Sequence, residues 1–356
     1  MDVVGSNPAL PTKLKCSHFG LLFFCKFALR SRWNGFAPMD FLKIFLLTVL
    51  VSLFGAWSWA DDPGKVLFKR VDKSAAGDLE VVDDGQRILL KQNSVVQTVV
   101  GKGESLSGKG LYNDYFHGAL LINSHVKNVY EIGLGGGHNA KAFLKLYPEI
   151  HFTSAEIDPD TAKAAFDHFG LPKNHPRLKV HVGDGRKYLE KTKESFDLII
   201  VDAYMPARNS SLMVHSLSTV EFFKLCWDRL TPGGVLSINV ASSSQKLYSL
   251  LVRDLGGSLR SVFGNLNEFV KSTDHQSIVI AVKERSSLIA LDQEAYRENY
   301  GPGLEEIETV GRSFREAKNQ ISYGRLTDKS TSSHGGLDSS FLEENYKRNL
   351  QKLKIK

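Results

Sequence analysis

Between residues 128 and 283, short apolar runs alternate with stretches whose apolar positions recur at helical spacing. The apolar runs are 128–133, 151–157, 178–182, 197–202, 235–240 and 276–283. They read as buried strands. The stretches 138–147, 159–169, 217–230 and 243–255 read as amphipathic helices. Asp158-Pro159 marks a helix start, because Asp caps free N–H groups and Pro suits the first helical position. Pro232-Gly233-Gly234 is a turn ahead of a strand. Alternation of this kind predicts an α/β fold with a doubly wound, mostly parallel sheet.

Ahead of this block, residues 65–100 alternate short apolar runs with turns, and Asp84-Gly85 between EVVD and QRILL is a hairpin signal. A small N-terminal β-domain is expected over 61–110, ending in the loop GKGESLSGKG. A helical lead-in, Tyr112 to Ile122, opens the main domain, 111–286. Residues 287–356 are polar and charged, with a Ser/Thr/Gly stretch at 329–340. They predict a helical extension, partly disordered.

Length and composition narrow the reading. A chain of 356 residues, 42% hydrophobic and 24% charged, suits one large globular domain or two small ones. Of the net charge of +6, residues 1–60 hold +4, from six Lys/Arg and two Asp. The +2 left for the remainder argues against a nucleic-acid partner. Lys347 to Lys356 reads as a solvated helix face.

Residues 39–60, MDFLKIFLLTVLVSLFGAWSWA, have the pattern of a secretory signal peptide, with Ser58-Trp59-Ala60 as a small-x-small cleavage site. The alternative is an uncleaved membrane anchor through 41–59, short for a full span. Cleavage predicts an exported protein, periplasmic or secreted; retention predicts anchoring in the inner membrane. Residues 1–38 resemble no targeting element and are expected to be a spurious extension, with translation starting at Met39. Their Gly5-Ser6-Asn7-Pro8 is what the common T-arm sequence of transfer RNA genes encodes in one frame. Cleavage after Ala60 would leave Cys226 as the single cysteine, in an apolar helix where a packing role is expected.

The candidate chemistry lies at the ends of consecutive strands. VYEIGL breaks into Gly135-Gly136-Gly137 and then a helix, and HFTSAEID ends in Glu156 and Asp158. A glycine-rich turn lets a ligand approach the backbone, and a helix N-terminus offers free N–H groups. An acid ending the next strand suits the ribose hydroxyls of a nucleoside. Asp184 closes the third strand and Asp202 the fourth. Ligands in such sheets lie at the carboxyl ends of strands, so Glu156 is placed on a ribose, Asp184 on an adenine amino group and Asp202 toward the reacting centre. No HExxH or Cys–His spacing suggests a metal, and there is no nucleophilic Ser turn. His138 follows the glycines, at the ligand or at a solvated helix start, and His117 is placed near the pocket.

The series EIGLGGG, AEIDP, GDGRKYL, FDLIIVDAY and LTPGGVLSINV resembles the spermidine-synthase-like (polyamine aminopropyltransferase) family, within the class I AdoMet-dependent methyltransferase-like superfamily. The resemblance spans about residues 65–285. It implies a seven-stranded, Rossmann-like sheet with a small N-terminal β-domain, often dimerised through the N-terminal region. It places Gln97 over the cofactor, Gly133, Gly135 and Gly137 along its methionine-derived part, and Glu156, Asp184 and Gly185 on the adenosine. Asp202 matches the family's catalytic aspartate, and Tyr204 would stack on or hydrogen-bond to the acceptor. The implied co-substrate is S-adenosylmethionine or decarboxylated S-adenosylmethionine, without a metal, and the acceptor an amine or polyamine. Three departures stand out. The acid that holds the aminopropyl ammonium is replaced by Gly136, the acid of the Tyr-His-Glu segment by Gly118, and the second acid of Asp-x-x-Asp-Pro by Met205. Polycations need carboxylates to offset their desolvation, so a degenerate polyamine site is expected, serving aminopropyl or methyl transfer. The competing expectation is a non-catalytic exported binding protein for a nucleoside or polyamine. A nicotinamide-dependent dehydrogenase fits Asp184 and Asp202 less well.

Overall fold

The computed structural model describes residues 64–71, 77–102, 111–207, 210–241, 245–264, 266–270, 276–284, 289–316 and 326–328. The leader 39–60, the extension 1–38, most of the loop 101–110, the 329–340 stretch and Lys347 to Lys356 lie outside them. No helix among the described residues is long and apolar enough to cross a membrane.

Four antiparallel strands open the described chain: β1 (Lys65–Arg70), β2 (Leu79–Asp83), β3 (Arg87–Gln92) and β4 (Val95–Gly101), in that spatial order. The β2–β3 turn falls on Asp84-Gly85, with Gly85 at φ +90°. The Asp84 carboxylate closes the turn by accepting the N–H groups of Gln86 and Arg87 at 3.0 and 2.6 Å.

The main domain begins with a 3-10 turn, Tyr112–Gly118, running into the short helix α1 (Ala119–Ile122). Then follow β5 (Asn128–Ile132), α2 (His138–Leu146), β6 (His151–Glu156), α3 (Pro159–His168), β7 (Leu178–Val182), α4 (Gly185–Lys191) and β8 (Phe196–Val201). A small hairpin, β9 (Tyr204–Ala207) with β10 (Ser210–Met213), precedes a 3-10 turn at His215–Leu217 and α5 (Val220–Arg229). The chain continues through β11 (Leu230–Ala241), α6 (Gln245–Phe263), β12 (Asn267–Val270), β13 (Gln276–Val282), α7 (Gln293–Tyr300), α8 (Ile307–Arg312) and β14 (Phe314–Glu316).

The sheet order is β14-β12-β13-β11-β8-β5-β6-β7. The strands from β11 to β7 run parallel, while β13, β12 and β14 pair antiparallel. This is the expected doubly wound α/β fold, and the sheet has an eighth, three-residue edge strand beyond the seven implied. That strand comes from the region expected to be a helical, partly disordered extension. β12 and α4 also escape the hydrophobic pattern: both are short, and α4 depends on a cap, Asp184 Oδ1 accepting the N–H groups of Arg186 and Lys187. One core lies between the sheet and α1–α3, α7 and α8; the other lies under α4–α6.

Leu79, Val81 and Leu90 of the small sheet pack on Ala164 and Phe169, in the middle of α3 and just past its end. Arg70 adds a charged tie to the start of α3, donating to Asp158 at 2.7 and 2.8 Å and to Asp160 at 2.8 Å. Its side chain is 19% exposed and that of Asp158 6%, so removing the guanidinium strands a nearly buried carboxylate. Arg70→Ala is expected to destabilise the fold by about 2–3 kcal/mol in urea unfolding. Adding Asp158→Ala should cost less than the sum of the two single changes.

Candidate active site

Between β5 and β8 the winding of the sheet reverses, and a crevice opens at the carboxyl ends of the strands. It holds about 180 Å³ of water-accessible space. Its floor is made by the ends of four strands: Ile132 to Gly135, Ala155 to Asp158, Gly183 to Gly185, and Asp202 to Tyr204. Gln97, Thr98 and Val99 of β4 roof it, while Tyr112 and Asn113 on one side and Val214, Ser216 and Leu217 on another wall it.

The glycine turn must be glycine. Gly133, Gly135 and Gly137 have φ values of +100°, +53° and +75°. A Cβ on Gly133 would collide with the carbonyl oxygen of Asp202, because β5 and β8 end side by side and Asp202 N–H donates to Ile132 O at 2.9 Å. Gly137 caps α2 without a side chain. On Gly185, a Cβ would meet the Ile132 side chain.

The acids differ in what they do. Glu156 accepts the N–H groups of Leu134 and Gly135 through one oxygen and of Asp158 through the other, and so braces the glycine turn. Burial pushes its carboxyl up to about 7. Asp158, two residues past Glu156, has its carboxylate engaged by Arg70 and by the N–H of Asp160. It lines the crevice as part of the tie to the small sheet. Asp184, 6% exposed, caps α4 and faces the crevice. Asp202 Oδ2 accepts from the Tyr112 hydroxyl at 3.0 Å and Oδ1 from Asn239 Nδ2 at 2.8 Å. Burial raises its carboxyl to about 6, against these two hydrogen bonds. Asn239 is oriented in turn by Gln276 Nε2 donating to its Oδ1 at 3.0 Å.

Tyr204 reaches the crevice with its ring, but its hydroxyl donates to Asn239 O and accepts from Ala241 N–H, both at 2.9 Å. The expected hydrogen bond to an acceptor thus competes with two bonds to β11. His138 lines the crevice, and burial lowers its imidazole to about 4, leaving it neutral. His117 is not in the crevice. It stacks on Phe143 with ring centroids 4.4 Å apart, and its Nδ1 lies 2.6 Å from the Tyr147 hydroxyl. Cys226 is buried in the core, and burial pushes its thiol up. Among the described residues no group of three or more His, Cys, Asp or Glu is placed to hold a metal.

Sequence patterning passed over a second layer. Glu131, in the middle of the apolar strand β5, is 1% exposed and lies behind the glycine turn. It accepts from Asn139 Nδ2 at 2.9 Å and from the Ser154 hydroxyl at 2.7 Å, and burial raises it to about 8. Asn113 of the crevice wall donates to Asn139 Oδ1 at 3.0 Å. Tyr112, Asn239 and Gln276 were likewise not singled out. The available signal was a polar residue at the centre of an otherwise apolar strand: Glu131 in VYEIGL and Asn239 in LSINV.

The lining carries Glu156, Asp158, Asp184 and Asp202 and no Lys or Arg among the described residues. Such a crevice suits a cationic ligand with an apolar body. At two of the three positions where the resemblance implies an acid, the space is packed. A Cβ on Gly136 would come within 2.6 Å of Thr98 Cγ2, and the Gly136 N–H donates to Thr98 Oγ1. At Gly118 it would come within 2.5 Å of the Phe269 ring.

Fold and crevice define a doubly wound, mostly parallel α/β domain with an acidic crevice at the carboxyl ends of its strands. Residues 112–274 match the spermine/spermidine synthase domain. A probable polyamine aminopropyl transferase of Bifidobacterium longum is 28% identical over 254 residues, covering 67% of this chain and 55% of that protein. A polyamine aminopropyltransferase of Vibrio vulnificus is 35% identical over 153 residues, covering 42% of this chain and 48% of that protein. The chain thus spans about half the length of these two relatives. Among solved structures, a probable spermidine synthase from Corynebacterium glutamicum superposes with a TM-score of 0.57 at 19% identity, over 76% of this chain and 99% of that one. The spermidine synthase of Thermotoga maritima gives 0.50 at 17%, over 70% and 88%. At these identities the two structures speak for the fold alone.

Glu131 gives the site a pH signature. Its carboxyl titrates near 4.5 when exposed and near 8 in the fold, so the folded state holds the proton more tightly. Stability therefore falls as pH rises between those values and levels off above them. From pH 5 to pH 8 the wild type is expected to lose on the order of 3 kcal/mol relative to Glu131→Gln, read from urea midpoints. Parallel curves for the two proteins would mean that Glu131 is ionised in the fold throughout.

Proposed function

We propose that this chain is a transferase that alkylates an amine, using S-adenosylmethionine or decarboxylated S-adenosylmethionine as donor, through a polyamine site that has lost carboxylates. The observation that carries the reading is the position of Asp202. Its carboxylate, held by Tyr112 and Asn239, closes the strand beside Gly133, at the reversal of the sheet. The relatives named as polyamine aminopropyltransferases support an amine as acceptor. The acidic lining supports a sulfonium donor, and the open glycine turn supports a ligand lying against backbone.

The reaction is an in-line displacement. The amine nitrogen forms a bond to the carbon attached to sulfur, the carbon–sulfur pair stays on sulfur, and a neutral thioether leaves. A good leaving group needs little acid catalysis, so the residues chiefly align the reactants and receive the nitrogen's proton. Asp202, ionised above about pH 6, attracts the amine and accepts that proton. Glu156, through its bonds to Leu134 and Gly135, fixes the turn on which the donor's amino-acid part would rest. Asp184 would face the nucleoside. Packing of Thr98 at Gly136 and of Phe269 at Gly118 supports an acceptor less cationic than a long polyamine. Export or membrane attachment through 39–60 belongs to the same proposal. Native protein should then start at Asp61 if the leader is cleaved, or at Met39 if it anchors.

Calorimetry of the full chain with S-adenosylmethionine, its decarboxylated form and methylthioadenosine tests the donor. Preference for the decarboxylated form indicates aminopropyl transfer, and preference for the intact form methyl transfer. Binding of none defeats the proposal, and binding without turnover of any amine favours a binding protein. Asp202→Asn is expected to lower turnover about 10²–10⁴-fold with donor affinity nearly unchanged. Wild-type turnover should fall as pH drops through about 6. Full turnover in the variant would remove Asp202 as the base.

A further inference from the structure

One wall of the crevice is a short turn, and what fixes it lies far along the chain. Ser216 lines the crevice, and its hydroxyl oxygen is buried without a hydrogen-bond partner among the described residues. A buried hydroxyl left unpaired is costly, so a polar atom of a bound ligand is its natural partner. The main chain at this residue is held from the side of Asp184: Arg186 Nη1 donates to Ser216 O at 2.8 Å. Arg186 immediately follows Asp184 and Gly185, which form the floor nearby.

Arg186 is itself clamped. Its two terminal nitrogens donate to the two oxygens of Asp328 at 2.8 and 2.6 Å, a fork geometry that fixes the guanidinium plane. Asp328 also accepts from the Thr219 hydroxyl at 2.7 Å, and its N–H donates to Glu221 at 3.0 Å. Leu326, 5% exposed, takes part in two further bonds: its carbonyl accepts the N–H of Val220 at 2.8 Å, and its own N–H donates to Ser258 Oγ at 2.8 Å. His215 Nε2 lies 3.2 Å from Thr327 O. Residues 326–328 therefore grip both the crevice turn and the start of α5. They lie beyond the stretch 112–274 that matches the synthase domain.

We propose that Ser216 is a ligand-binding residue, donating or accepting a hydrogen bond at the nucleoside end of the ligand beside Asp184, and that Asp328 is the positioning residue that sets it through Arg186. The ligand half of this inference rests on the adenosyl-donor reading above; the clasp half does not. Full-length Ser216→Ala, Asp328→Ala and the double variant separate the two. Methylthioadenosine affinity is read by calorimetry, and amide hydrogen exchange over 214–221 is followed without ligand. Ser216→Ala should weaken binding roughly three- to tenfold, the worth of one hydrogen bond, with exchange unchanged. Asp328→Ala should weaken binding to a similar extent and strip protection from 214–221, while Asp328→Glu retains it. The double variant should bind no more weakly than Asp328→Ala alone. Unchanged affinity in Ser216→Ala overturns the ligand role, and unchanged exchange in Asp328→Ala overturns the clasp. Fully additive losses overturn the link between them. If the wild type binds no adenosyl compound, the ligand role falls with the donor reading, while exchange still decides the clasp.

Discussion

The hydrogen bond from Asp202 N–H to Ile132 O, at 2.9 Å, joins the ends of the two strands between which the sheet changes its direction of winding. That contact demands a residue without Cβ at 133, and it places the carboxylate of Asp202 beside the glycine turn. Both halves of the crevice are referred to it. On one side the turn leads into α2 and is braced by Glu156; on the other the chain passes through Asp202 into the β9–β10 hairpin and the Ser216 turn. A bulky residue at 133 would act less by removing a ligand contact than by parting β5 from β8 and widening the crevice at its centre.

The second constraint is electrostatic. Glu131 and Glu156 are buried and Asp202 is half-buried within one region, and desolvation raises each of them. The fold makes this tolerable in different ways. Asp202 has Tyr112 and Asn239 as donors, Glu156 has three backbone N–H groups, and Glu131, near 8, is mainly protonated at neutral pH and adds little charge. Among the described residues no Lys or Arg lines the crevice to offset them. A positively charged ligand would therefore favour the ionised forms of Glu156 and Asp202, and ligand binding should release protons in the neutral range.

The doubly wound sheet, the first hairpin turn and the strand-end acids were legible in the sequence, because a buried parallel strand is an unbroken apolar run and because glycine and aspartate punctuate the ends. Three kinds of feature were not. Short elements such as α4 and β12 carry too few positions for a period. Polar residues inside apolar strands, Glu131 and Asn239, look like noise until their partners Asn139, Ser154 and Gln276 come from other elements. Roles that depend on direction also escape: Asp158 turns to Arg70 of the small sheet, the Tyr204 hydroxyl turns to β11, and His117 turns into the core, though all sit in or beside the expected motifs. Asp328 is more remote still, 142 residues from the Arg186 it holds, and no local pattern links the two.

The departures from the family pattern acquire a physical meaning from packing. Removing an acid from a site and leaving a void would cost stability, and it would also leave room for reversion. At Gly136 and Gly118 the neighbouring Thr98 and Phe269 occupy the space a side chain would need, and Thr98 takes the Gly136 N–H as well. An acid introduced at either position alone would force a carboxylate against a methyl group or an aromatic ring. Partners would therefore have to change together with the acids. The acids that do line the crevice, Glu156, Asp158, Asp184 and Asp202, are therefore the groups on which a cationic ligand would rely.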